Sequence, residues 1–208
     1  MITYYILGFT VIFSLIGIND RAFFVKYLFN PYRINSNKKE WYTVFTHAFL
    51  HADFQHLLFN MFTLFVFGRD LETTSFPAFF GLNAKWFYLI LYFGGIIVSS
   101  IPAYEKHKND PAYSAVGASG AIYAVLFSYI LINPTAELGI MFIPFPIPAF
   151  VLGILYLLYE WYMSKHGRTN IGHDAHLWGG LFGIVFTIIL HYQFAPRFYY
   201  QIVELFTS

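Results

Sequence analysis

Long unbroken apolar runs, with little strand-like alternation, set the pattern of this chain. A membrane span takes about 20 mostly apolar residues. Six runs predict spans, at residues 2–18, 54–67, 86–101, 116–132, 148–163 and 176–191. The first has neither a basic lead nor a small-residue cleavage site, so it reads as a retained span and not a signal peptide. The connection from Asn19 to Asp53 is too long for a turn and rich in aromatics, as suits a segment folded on the membrane surface. Pro144, Pro146 and Pro148 cannot continue a helix, so the fifth span is expected to start after them. The tail from Gln193 sets Arg197 and Glu204 among aromatics and reads as interfacial. No internal repeat or linker divides the chain, which reads as one domain, residues 1–208.

Composition sharpens the solvent assignment. The chain is 58% hydrophobic and 11% charged, against about 45–50% and about 25% in soluble domains. Its net charge of +1 gives no reason to expect nucleic acid, and the absence of cysteine excludes thiol nucleophiles and thiolate metal sites.

Polar residues collect at the N-terminal ends of the second, fourth and sixth spans, which alternation places on one side of the membrane. The second opens with His51-Ala-Asp53-Phe-Gln-His56-Leu-Leu-Phe-Asn60, which stacks His56 and Asn60 on one helix face. The fourth opens with Gly117-Ala118-Ser119-Gly120-Ala121-Ile122-Tyr123, and the sixth with Ala175-His176-Leu177-Trp178-Gly179-Gly180-Leu181-Phe182-Gly183. Small residues on the fourth and sixth spans, including Gly179-x-x-x-Gly183, permit close approach. A serine hydroxyl becomes a nucleophile when an imidazole takes its proton, which Ser119 and His176 can do if these spans touch. The Ser119 amide with His56 and Asn60 could serve the resulting oxyanion. Asp174, two residues before His176, would point elsewhere, so the sequence reads as a Ser-His dyad. A metal reading of His47, His51, His56 and His173-Asp174-Ala175-His176 stays open here, although it gives Gly-Ala-Ser-Gly no role. The fifth span, aromatic at Tyr156, Tyr159, Trp161 and Tyr162, is expected to pack loosely and admit substrate.

The stretches H-A-D-F-Q-H-L-L-F-N, G-A-S-G-A-I-Y-A and A-H-L-W-G-G-L-F-G resemble, in order, the three signature motifs of rhomboid intramembrane serine proteases. The resemblance implies an all-α membrane protein, a six-transmembrane-helix rhomboid-like bundle, acting as an endopeptidase on single-span membrane proteins. It implies no cofactor and no metal. Ser119 resembles the nucleophile and His176 the base; His56 and Asn60 resemble the oxyanion stabilisers. Tyr123 resembles the tyrosine packed on the catalytic imidazole, and Gly117, Gly179 and Gly183 the supporting glycines. His47 and His51 resemble histidines that brace the first loop. An aromatic-Arg pair of the family falls on Tyr42 and Thr43, so the arginine is missing. The family is expected in the cell membrane as a multi-pass protein with its active side outward. The count of basic loop residues, Arg168 among them, places that side in the cytoplasm instead.

Overall fold

A computed structural model describes residues 1–139, 145–167 and 172–207; Pro144 and Arg168 lie outside the described residues. Helix α1 (Ile2–Asn19) shows how lipid inverts the usual pattern. Its buried face is small and polar, with Thr3, Thr10, Ser14 and Gly17 around Ile6. Tyr5, Phe9, Ile12 and Leu15 point outward. Such a surface suits hydrocarbon, where apolar side chains cost nothing to expose, and the Thr3 and Ser14 hydroxyls find partners inside.

The connection after α1 folds into short pieces, the first three started by side-chain caps. Asp20 caps α2 (Arg21–Tyr27), and Asn30, followed by Pro31, caps α3 (Pro31–Ser36). Asn37 caps a 3₁₀ turn before the short α4 (Thr43–Thr46). Position 43 carries Thr, and Arg33 ties this connection together instead. Its guanidinium donates to the Val25 carbonyl at 2.7 Å and pairs with Glu40.

Helix α5 (Phe54–Thr63) starts where Asp53 accepts from the His56 amide. The expected end near Phe67 is not observed. The helix continues through π-helical turns at Leu64–Gly68 and Leu71–Ser75 into α6 (Phe76–Phe80), and breaks at Gly81 with φ +52°. Two charged residues beyond Phe67 are used internally. Glu72 accepts from the Ile2 and Thr3 amides, serving the free N–H groups of α1. Asp70 accepts from the Ser75 hydroxyl.

Next come α7 (Ala84–His107), α8 (Ser119–Ile132), α9 (Ala149–His166), α10 (His173–Leu190) and α11 (Phe194–Thr207). Helix α9 begins directly after Pro148. Among the described residues, three helical stretches are long and apolar enough to cross a membrane: Ile2–Asn19, Phe54–His107 and His173–Leu190. The second is the stretch interrupted at Gly81, and Ser119–Ile132 is a shorter apolar helix. The protein is an all-α membrane protein.

Helix α8 is buried on nearly every side, from Gly120 to Ile132, as an apolar helix without a polar face should be. Helices α7 and α10 press against it through small residues. A Cβ on Gly95 of α7 would meet Ala121 at 2.9 Å. On α10, a Cβ on Gly179 would strike the Gly120 carbonyl, and one on Gly183 the Ala124 carbonyl. Ser128 and Thr187 add a buried hydrogen bond of 2.7 Å across the same interface.

Candidate active site

Ser119 is the first residue of α8 and is half-buried. The first N–H groups of a helix have no carbonyl partner within it, so the backbone here offers donors beside the hydroxyl. Gly117 turns the chain into α8 with φ +121°. A Cβ there would lie 2.7 Å from His56 Cε1, so the missing side chain is what lets the His56 imidazole pack against the turn before Ser119. Asn60, one turn along α5, is buried, and its amide donates to the His56 carbonyl at 3.1 Å.

His176 enters from α10. Its ring stacks on Tyr123, with centroids 4.3 Å apart and planes 7° from parallel. Tyr123 lies one turn beyond Ser119, and Gly179 rests on Gly120. Together these contacts bring the imidazole to the N-terminal end of α8, where the serine is. The structure therefore gathers Ser119, His56, Gly117, Tyr123 and His176, with Asn60 just below.

Behind this cluster stands a residue that the sequence reading passed over. Glu160 of α9 is 2% exposed, inside an apolar run. Its Oε1 accepts from His176 Nδ1 at 3.0 Å and from the Tyr123 hydroxyl at 2.9 Å. Its Oε2 accepts from His173 Nδ1 at 2.6 Å. The expectation that no acid reaches His176 is thus not met. Asp174 points away, pairing with Lys106 at 3.0 Å. The available signal was an acid within a membrane span, which by itself marks a functional candidate.

Glu160, His173 and His176 present donor atoms within 4.8 Å of one another, a grouping able to hold a cation. Both imidazole Nδ1 atoms are already spent on the carboxylate, so a cation would displace two hydrogen bonds. His47 and His51 are engaged elsewhere. His47 Nδ1 bonds the Thr43 carbonyl at 3.0 Å, and His51 Nδ1 bonds Ser14 at 2.9 Å. The His47 carbonyl also accepts from the Gly117 amide at 3.0 Å, which ties the first loop to the turn before Ser119. Burial holds the His47 ring well below its usual range, at about 4. Burial, with His56 nearby, lowers His51 to about 3. Both are neutral at physiological pH.

A bundle of apolar helices with a serine, an imidazole and a buried carboxylate near one end defines an integral membrane protein with a polar cluster in its core. The sequence model of the Rhomboid domain matches residues 38–193, and the chain belongs to the rhomboid family. It is 29% identical to the mitochondrial RHOMBOID-like protein 12 of Arabidopsis thaliana, over 84% of this chain and 54% of that protein. It is 34% identical to the putative rhomboid protease YdcA of Bacillus subtilis, over 48% of this chain and 45% of that protein. With the rhomboid protease GlpG of Haemophilus influenzae it shares 26% identity, over 79% of this chain and 78% of that protein. The chain spans about half the length of the first two.

Proposed function

We propose that this protein is an intramembrane serine endopeptidase, residues 1–208 forming one six-span unit that cuts single-span membrane proteins in or near their transmembrane segments. Ser119 is the nucleophile and His176 its general base. His56, Asn60 and the Ser119 amide stabilise the oxyanion. The observation that carries this reading is the Tyr123–His176 stack one turn from Ser119, with Gly179 seated on Gly120. Kinship with proteins named as rhomboid proteases supports it. The site lies in the cell membrane and opens on the side away from the cytoplasm, the family's arrangement.

The test is cleavage of a model transmembrane substrate by purified protein in vesicles. Ser119→Ala and His176→Ala should each abolish cleavage, and the double variant should be no worse, because the pair works as a unit. Undiminished cleavage by Ser119→Ala would overturn the reading.

A further inference from the structure

A buried ionised carboxylate is costly unless most of its lone pairs are served. Glu160 meets that demand entirely from other helices, with Tyr123 from α8 and His173 and His176 from α10. The arrangement also constrains His176. A neutral imidazole that gives its Nδ1–H to a carboxylate carries its lone pair on Nε2. That is the nitrogen a serine hydroxyl needs as its base. The Tyr123 stack fixes the plane of the ring, and the bond to Oε1 fixes its rotation within that plane. His173 holds Oε2, so the carboxylate itself cannot swing.

We propose that Glu160 is the positioning residue for the base, so that the site works as a Ser119–His176–Glu160 relay whose third member is carried by α9. This inference rests on the protease reading above. As Ser119 Oγ bonds the substrate carbonyl carbon, its proton passes to His176 Nε2. The imidazolium that forms lies against the Glu160 carboxylate, which stays ionised. When the C–N bond breaks, Nε2 returns the proton to the leaving nitrogen. Because α9 supplies Glu160, the base is aligned only while α9 is seated on α8 and α10. The helix expected from its sequence to yield to substrate is therefore also the one that completes the site.

Two measurements test this on the full chain. Histidine ¹⁵N spectra, assigned by difference with His176→Gln, should show the neutral His176 ring protonated at Nδ1. In Glu160→Gln the amide can offer oxygen to only one imidazole, and its NH₂ must face the other. Kinetic runs well below the melting temperature should then show kcat on an embedded substrate falling by about 10²-fold or more, with KM little changed. Labelling of Ser119 by a fluorophosphonate should slow in parallel, and Glu160→Asp should recover part of the rate. A carboxylate that merely pins helices would lower the melting temperature and leave kcat alone. A wild-type His176 ring protonated at Nε2, or folded Glu160→Gln with kcat within about twofold of wild type, overturns the proposal. If Glu160→Gln does not fold, the wild-type spectrum decides alone. If Ser119→Ala cleaves as well as wild type, the protease reading has failed, and the ring spectrum still reports whether Glu160 holds the imidazole.

Discussion

Tyr123 serves two functions that can be separated at the scale of one side chain. Its ring supports His176, and its hydroxyl donates to Glu160. Tyr123→Phe keeps the first and removes the second. A hydrogen bond to a charged group is worth about 1.5–3 kcal/mol, so this variant should melt lower in detergent by roughly that amount while retaining measurable cleavage. Tyr123→Ala removes the support as well and should lose most of kcat. Equal kcat in the two variants would show that the stack plays no part. Ser119, His56, Asn60, Tyr123 and His176 could be picked out in the sequence because each sits in a short, distinctive string. Glu160 offered only the weaker signal of a lone acid in an apolar span, because its partners lie 13, 16 and 37 positions away.

Among the elements, the α8–α10 contact sets the distance between Ser119, the proposed nucleophile, and His176, the proposed base. Two glycines of α10 lie against main-chain atoms of α8, which cannot swing aside as a flexible side chain would. Overpacking typically costs about 1–3 kcal/mol, and here the added methyl also pushes His176 away from α8. Gly179→Ala should therefore lose far more activity than stability, read as cleavage rate against melting temperature. A fall in melting temperature with full activity would contradict this. At α9, Tyr159, Trp161 and Tyr162 are exposed, while Ala149, Leu152, Gly153 and Glu160 face inward. Three of the aromatics that suggested loose packing are thus exposed, Tyr156 meets the Tyr123 ring edge-on, and the inward face carries the carboxylate.

For the molecule as a whole, the first loop, which the His47 carbonyl fastens to the turn before Ser119, holds two buried imidazoles that are neutral in the folded protein. His47 and His51 resist protonation until about 4 and about 3, whereas unfolded histidines titrate near pH 6.5. Below about 6.5 the unfolded chain takes up protons that the folded chain refuses, so stability falls as pH drops. The contribution is fully present above that pH and is lost at up to about 1.4 kcal/mol per unit for each histidine. Melting temperatures should hold from pH 8 to 7 and decline towards pH 5, and His47→Gln should flatten the decline. An unchanged slope in that variant would assign it to other groups.

The sequence by itself determined the solvent, the helical class and the start of α9, and it singled out the strings that meet in the candidate site. These depend on composition and on neighbours within one or two helical turns. It misjudged where the α5 helix ends, because the partners that receive Asp70 and Glu72, Ser75 and the α1 N-terminus, are brought to them only by the fold. It also supplied a base without an acid. Only the tertiary structure could place Glu160 beside His176, since that contact exists only once α8, α9 and α10 have packed. In a medium without water, a buried charge is tolerable only where such packing has already brought its partners.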